Sequence, residues 1–445
     1  MQNKVSTPIN NFHKAKSNTY GDISSRFLFT LLMLVIYRLG TYISLPSVDS
    51  SALFAFASSQ STGILGMFNM FAGGALERLS IFSLNIMPYI TASIIMQLVS
   101  VSFKDMMDLK KEGERGRKKI GFYTKCLTII LALFQGYGLA VGAEQAASSL
   151  GNIVINPGAI FRITAMVTLM GGTMFVMWLG EQITARGLGN GSSVIIFCGI
   201  VSGLPSAIAT FLDLGKTGAI PTYVIFIIMI IGLGMVGSIV FIERAHRKIL
   251  VQYQKRQIGN KIYKSDSTHL PLKINTSGVI PPIFANAMLS FPATLVAFSV
   301  STDNYFSDFI STYISHGKPL YIALYILLIA FFSFFYSSVV FNSEETADSL
   351  RKNGGVVLGK RPGKDTAAFF DYVISRLTVL GICYISAICI IPEIIISKYS
   401  VPFYLGGTSL MIVVNVVIDL FSQIQTHMLT SQYSGLLKKS RIQRI

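Results

Sequence analysis

Charged side chains are scarce in this sequence, and their scarcity indicates its class. Of the 445 residues only 13% are Asp, Glu, Lys or Arg, whereas 51% are apolar. A soluble domain carries about 25% charged residues, so water cannot be the solvent for most of the surface of this protein. The sequence therefore indicates an integral membrane protein.

Cysteine and histidine are also scarce. The 4 cysteines lie in apolar segments without CxxC spacing, and the 5 histidines are scattered along the chain. This spacing favours neither a disulfide framework nor a metal site. We therefore expect no metal and no cofactor.

A complete nucleotide-binding motif is missing as well. Residues 354–361 (GGVVLGKR) fit the first positions of the phosphate-loop pattern GxxxxGK, but Arg361 stands where a hydroxyl residue would hold magnesium. Pro362 follows where a helix should begin. Residues 187–191 (GLGNG) lack the full GxGxxG spacing and predict a tight turn. We therefore expect no catalytic residues and no ATPase activity in this chain.

The apolar residues occur in runs close to the ~20 residues that cross a bilayer core. A polar stretch with several lysines precedes Phe27, but no small-residue cleavage site follows the first run, so we interpret that run as a span and not as a secretory signal. About ten transmembrane helices are predicted, at 27–43, 79–103, 120–142, 159–180, 191–212, 218–242, 278–300, 319–342, 372–392 and 403–426.

Lys and Arg cluster after the second, sixth, eighth and tenth spans, whereas the alternate loops carry few. Cytoplasmic loops are enriched in Lys and Arg, so both termini are predicted to be cytoplasmic. The formal net charge of +16 then follows from topology and not from nucleic-acid binding. The predicted cytoplasmic parts are the segment 1–26, long loops at about 243–277 and 343–371, and the tail 427–445.

A division after the fifth span gives two five-helix halves, 27–212 and 218–426, and the second half must be inverted relative to the first. The apolar segment at about 62–76 is too short to cross and precedes the second span on the outer side, so it predicts a re-entrant plug helix. Glycine permits close packing and movement of such a helix. The glycines concerned are Gly63, Gly66, Gly73 and Gly74.

Ionisable residues within the spans are few, and none is at the centre of its span. We expect each to snorkel or to cap a helix, because a charge in mid-membrane is costly. They are Arg38, Lys125, Arg162, Arg376 and Asp419.

Several motifs resemble the SecY/Sec61-alpha family, the pore subunits of Sec protein translocases. They follow the family's order over nearly the whole chain and include polar loops, which chance similarity between apolar helices does not explain. They are 68–71 (FNMF), 73–76 (GGAL), 86–94 (IMPYITASI), 186–191 (RGLGNG), 267–273 (STHLPLK), 278–281 (GVIP), 345–348 (ETAD), 361–363 (RPG), 406–410 (GGTSL) and 431–433 (SQY).

The resemblance implies a central pore, closed by the plug, that conducts unfolded polypeptides across the membrane and releases transmembrane segments sideways into lipid. An aliphatic ring would exclude water and ions when narrow. The positions that match this pore ring are Ile86, Ile90, Ser192, Ile196, Ile283 and Ile412. Ser192 stands where an aliphatic residue is expected, and spacing alone favours ordinary helix packing for all six. Asn69 matches the plug.

The resemblance also implies a lateral gate and a cytoplasmic docking surface. The gate residues would be Thr91, Gln97, Asn286 and Phe291, and the docking residues for a motor or ribosome Lys255, Arg256, Arg361 and Tyr433. The implied partners are the SecE and SecG membrane subunits, the SecA ATPase, the ribosome, preproteins with signal sequences, the lipid bilayer, and SecD, SecF and YidC. The implied location is the bacterial plasma membrane.

Two other functions fit parts of the pattern. A small-molecule secondary transporter shares the span count and the inverted halves, and it would couple a saturable solute to a gradient. A membrane scaffold or assembly factor would need no conduction path, and ion leakage after deletion of the plug would count against it.

Overall fold

The computed structural model describes residues 8–48, 73–76, 78–150, 154–218, 221–253, 257–258, 261–262, 267–298, 318–399 and 406–442. The fold is mostly helical. Its helices are α1 (Pro8–Gly40), α2 (Met87–Ser102), α3 (Lys104–Lys111), α4 (Glu114–Leu150), α5 (Ala159–Arg186), α6 (Gly191–Lys216), α7 (Thr222–Glu243), α8 (Ile280–Phe298), α9 (Pro319–Val340), α10 (Ser343–Lys352), α11 (Lys364–Tyr399) and α12 (Gly407–Ile442). Its strands are β1 (His246–Tyr253), β2 (Gln257–Ile258), β3 (Lys261–Ile262), β4 (Ser267–Lys273) and β5 (Gly355–Val357).

Within these ranges, 8 helices are long and apolar enough to cross a membrane. A ninth crossing is formed if α2 and α3 count as one span, although they meet at a bend of 103°. The helix at the predicted seventh span, α8, has a shorter apolar part, Ile280–Leu289. Each predicted span thus coincides with a helix, and the chain is a multi-pass membrane protein.

Several helices differ in extent from the predicted spans. The first helix ends at Gly40 and not at 43, and the second begins at Met87 and not at 79, because residues 78–86 form turns. The third and ninth helices extend well beyond 120–142 and 372–392. The tenth helix continues through most of the predicted tail 427–445. Hydropathy detects only the apolar middle of a helix, whereas the helix itself continues into water.

The chain forms two compact units. The first contains residues 1–96, 114–205 and 415–445, and in it α4 and α1 both pack against α5. Helices α5 and α6 approach closely, since a Cβ on Gly191 would overlap the backbone carbonyl of Gly180. Small residues let helix backbones meet in this way where lipid provides no hydrophobic driving force.

An irregular connector, residues 73–86, lies in the first unit between α1 and α5. The Ser83 hydroxyl donates to the carbonyl oxygens of Ala75 at 3.0 Å and of Ser80 at 2.7 Å. The Phe82 ring stacks between Tyr37 of α1 and Phe175 of α5, with ring centroids 6.1 and 5.9 Å apart. A Cβ on Gly172 of α5 would overlap the Ile81 carbonyl oxygen. The connector is therefore held at fixed points on both helices.

The second unit contains residues 97–113 and 206–414. Helix α9 packs against α8 and α11, and a hydrogen bond of 2.9 Å joins the hydroxyls of Thr378 and Ser337. The start of α12 lies close to α11, because a Cβ on Gly407 would overlap the Ile388 carbonyl.

The two long connections of the second unit fold together into a three-stranded antiparallel sheet of order β4-β1-β5. Ile249 pairs with Leu270, and Val251 pairs with both Thr268 and Val357. Its apolar face packs on α10 and on the first turns of α11, around the fully buried Phe370. The sequence analysis did not foresee this sheet. The loops were expected only to be long and basic.

The contact between Gly172 and Ile81 generates a test of the connector. We expect Gly172→Ala to lower the thermal midpoint of the purified protein, because overpacking costs about 1–3 kcal/mol. Gly171→Ala is the matched control, since a Cβ there meets nothing within 4 Å. Thermal unfolding in detergent, followed by size-exclusion chromatography after heating, measures both. Equal thermal midpoints for Gly172→Ala and Gly171→Ala would contradict the close approach of Gly172 to the Ile81 carbonyl.

Candidate functional site

Two of the predicted ring residues are Ile86, the last residue before α2, and Ile90, on the first turn of α2. Ile86 is 1% exposed and Ile90 half-buried, and the Ile90 N–H donates to the Ile86 carbonyl at 3.1 Å. The preceding Asn85 has φ 49°, which turns the connector sharply into the helix. The two side chains therefore occupy the same face of the first turn of α2.

Ser192 and Ile196 lie one turn apart at the start of α6. The Asn190 side chain accepts a hydrogen bond from the Ser192 N–H at 3.2 Å, and the Thr184 hydroxyl accepts one from the Gly191 N–H at 2.9 Å. Residues 187–191 form the tight turn that was predicted, with Gly189 at φ 84°. Polar caps thus fix the start of a helix whose next turn is aliphatic.

Ile283 and Ile412 belong to the second unit. Ile283 is half-buried on the first turn of α8, and Ile412 is 2% exposed on α12. Their membership of a ring with the four residues of the first unit stays a prediction.

Of the predicted plug, Gly63, Gly66 and Asn69 lie outside the described residues. Gly73 and Gly74 have φ 65° and 81°, a conformation that favours glycine. The Gly73 carbonyl accepts a hydrogen bond from Arg38 Nη1 at 2.6 Å. Gly73 also lies against α6, where an added Cβ would meet Ser202 Oγ at 2.9 Å. The C-terminal end of the plug segment is therefore fastened to α1 and α6.

Two arginines meet at Tyr42 just beyond the end of α1. The guanidinium carbons of Arg78 and Arg38 lie 4.2 and 5.1 Å from the centroid of the Tyr42 ring. A hydrogen bond from Arg78 and the charge of Arg38 lower the pKa of the Tyr42 hydroxyl. Arg38 thus contacts Gly73 and Tyr42 and links the connector to the end of α1, where the sequence predicted snorkelling or helix capping.

The predicted gate residues occupy α2 and α8. The Thr91 hydroxyl donates to the Met87 carbonyl of its own helix at 3.1 Å, and Gln97 lies further along α2. Asn286 is buried on α8, and its Oδ1 has no hydrogen-bond partner among the described residues. Phe291 also lies on α8. The role of all four as a gate stays a prediction.

Of the predicted docking residues, Lys255 and Arg256 lie outside the described residues, and Tyr433 lies on α12. Arg361 is exposed in the turn that joins β5 to α11. Its carbonyl accepts a hydrogen bond from the Thr366 hydroxyl at 2.7 Å, which fixes the backbone and leaves the guanidinium outside. The phosphate-loop-like stretch is thus β5 followed by turns, with Gly359 at φ 79°.

Two ion pairs were missed by the sequence analysis. Lys125 pairs with Glu181 at 2.7 Å, and Arg162 with Glu144 at 2.7 Å. Glu144 and Glu181 lie just outside the predicted spans. Lys125 and Arg162 were therefore interpreted without these acidic partners. The longer helices α4 and α5 bring the partners together.

A hydrogen bond between two buried polar side chains, here called the Glu243–Asn275 joint, was also missed. Asn275 Nδ2 donates to Glu243 Oε1 at 2.6 Å, and both residues are buried. The signal in the sequence was an acid directly after the sixth predicted span, where the neighbouring charges are basic. Among the described residues, no group of His, Cys, Asp and Glu is placed to hold a metal ion.

Known proteins resemble the chain over nearly all its length. The SecY family model matches residues 80–421. The protein translocase subunit SecY of Rickettsia typhi is 54% identical over 97% of this chain and 99% of its own, and that of Escherichia coli is 48% identical over 97% of each.

Solved structures have the same fold. A structure of a protein conducting channel superimposes with TM-score 0.67 at 18% identity, over 92% of this chain and 93% of that one. Sec61 in the canine ribosome-channel complex gives TM-score 0.63 at 18% identity over the same shares. The family model and the curated relatives both extend over α2, the start of α6 and the sheet β4-β1-β5, and this chain belongs to the SecY family.

Proposed function

We propose that the chain is the channel-forming subunit of the Sec translocon of a bacterial plasma membrane. It conducts unfolded secretory polypeptides across the membrane and releases transmembrane segments sideways into lipid, with both termini cytoplasmic. The observation that carries this proposal is the likeness to protein translocase subunits, which includes polar loops as well as apolar helices. Shared apolarity alone would not produce that likeness.

The channel consists of an N-terminal half, 27–212, and an inverted C-terminal half, 218–426. Ile86, Ile90, Ser192, Ile196, Ile283 and Ile412 line its constriction. The geometry of the first unit supports this, because a polar cap or turn fixes each of α2 and α6 where its ring residues begin. An aliphatic lining excludes water when narrow and offers a moving chain no strong polar partner.

The segment 62–76 is the plug of the closed channel, and Thr91, Gln97, Asn286 and Phe291 belong to the lateral gate. The buried amide of Asn286 supports a gate. Hydrogen bonds between helices in membranes contribute only about 0.6–2 kcal/mol, so helices joined by such groups separate at modest cost. The fastening of Gly73 to Arg38 supports a plug that moves about a fixed C-terminal end.

The chain itself makes and breaks no covalent bond. The energy for transport therefore comes from partner proteins, and other membrane subunits complete the complex. SecA and the ribosome dock on the cytoplasmic sheet and loops through Lys255, Arg256, Arg361 and Tyr433. SecE and SecG complete the channel, and SecD, SecF and YidC are further partners. The exposed basic turn at Arg361 supports a large anionic or carbonyl-rich partner, since arginine offers a planar fork to such groups.

Reconstitution tests the proposed function. Vesicles containing the chain with its small membrane subunits should protect a preprotein from external protease only when SecA and ATP are present. The same preprotein without its signal sequence is the control and should stay accessible. Gradient-driven accumulation of a small solute, with no protected preprotein, would favour the secondary transporter instead.

The proposed pore ring predicts that polar substitutions in it let ions pass through the closed channel. Ile90→Asn or Ile412→Asn should raise the ion conductance of vesicles, because a polar side chain wets a narrow aliphatic constriction. Ile95→Asn is the control on α2, since Ile95 is exposed at the helix surface. Conductance in planar bilayers measures all three. Equal conductance for Ile90→Asn and the wild type would remove Ile90 from the ring.

The proposed docking turn predicts a dependence on side-chain geometry. Arg361→Lys keeps the topological charge but loses the planar fork, so the channel should insert normally while preprotein transport slows; Arg361→Glu should be slower still. Lys352→Glu, an exposed position at the end of α10, is the control for the charge change. Transport is measured at matched channel abundance. Full transport with Arg361→Glu would contradict docking at this turn.

A further inference from the structure

An acidic residue directly follows the sixth predicted span, where every neighbouring charge is basic. Glu243 is the last residue of α7 and is 6% exposed, whereas Arg244 is exposed beside it. Burial of a carboxyl group is unfavourable unless hydrogen bonds replace its water. The position of Glu243 therefore calls for a specific partner.

That partner is Asn275, which is 3% exposed in the link between β4 and α8. Its Nδ2 donates to Glu243 Oε1 at 2.6 Å and to the Gly278 carbonyl at 3.1 Å. Its Oδ1 accepts from the Ser277 hydroxyl and from the Gly278 N–H, both at 3.1 Å. A side-chain amide has two donors and two lone pairs, so the hydrogen-bonding capacity of Asn275 is completely used.

The same link is held by the backbone and by a third helix. The Ile274 N–H donates to the Ala245 carbonyl at 3.2 Å, which continues the pairing of β1 with β4. Gly381 of α11 lies beside it, since an added Cβ would be in ordinary van der Waals contact with Asn275 Oδ1 at 3.7 Å. Gly278, at φ 63°, then turns the chain into α8 two residues later. The joint thus connects the cytoplasmic sheet, the end of α7 and the first turn of α8.

We propose that Glu243 is a positioning residue for translocation, because its bond to Asn275 fastens the first turn of α8 to the cytoplasmic sheet. This rests on the proposed function: α8 carries Ile283 of the ring and Asn286 of the gate, and the sheet is the docking surface. With the joint intact, a motor that moves the sheet also moves the start of α8. Without the joint, the motor still binds, but its movement reaches the gate helix poorly.

The test compares two variants at one site. Glu243→Ala removes the acceptor and should slow preprotein transport at saturating SecA roughly five- to thirtyfold, since a buried amide donor loses its partner. The Kd of SecA for the channel should stay unchanged. Glu243→Gln keeps an acceptor oxygen, so transport should recover to within about threefold of wild type.

Glu144→Ala is the matched control. Glu144 is also a carboxyl group in a side-chain pair, although it is only half-buried, and its partner Arg162 is on α5 in the first unit. This variant should lower thermal stability without slowing transport per folded channel.

Three results would overturn the proposal. They are full transport by Glu243→Ala, a parallel fall of SecA binding and transport, or no recovery with Glu243→Gln. Wild-type vesicles without transport would instead refute the proposed function itself. The two failures are therefore distinguishable.

Discussion

The constraint on which this structure depends is that hydrocarbon provides no hydrogen-bond partners for the backbone. Helices meet that constraint internally, and most of the described chain is helical. The connector 73–86 does not, and its irregular backbone persists because side chains replace water. The Ser83 hydroxyl and the Arg38 guanidinium bond its carbonyls, and the rings of Tyr37 and Phe175 cover it. The connector can therefore leave helical geometry and still precede α2 at a fixed place.

Packing in the two units follows from the same solvent. Lipid tails are as apolar as leucine, so helices associate through close contact and polar pairs. Gly172, Gly191 and Gly407 each lie where a Cβ would overlap a backbone carbonyl of another segment. Buried polar groups also pair between elements, and the Glu243–Asn275 joint links the end of α7 to the segment between β4 and α8.

The sequence predicted the class, the order of the spans and the turn at 187–191, because these follow from apolar runs, basic loops and glycine. It did not predict where helices end. Residues 79–86 are as apolar as a span, yet two hydrogen bonds hold them in turns: the Phe82 N–H donates to Ser80 Oγ, and the Ser83 hydroxyl donates to the Ser80 carbonyl. Positions that match the ring and gate came only from family resemblance, since apolar spacing describes a packed helix equally well. The partners Glu144 and Glu181 needed three-dimensional contacts to be found.

The sheet β4-β1-β5 has a consequence for biogenesis. Its β1–β4 hairpin is synthesised early, but its apolar face is covered by Phe370 and the neighbouring residues of α11. Those residues emerge roughly a hundred positions later, which is about 5–20 s at the usual ~5–20 residues per second. During that interval Ile249, Val251 and Leu272 lack the cover that the finished fold provides. The nascent chain therefore needs protection at this sheet until the ninth predicted span has been made.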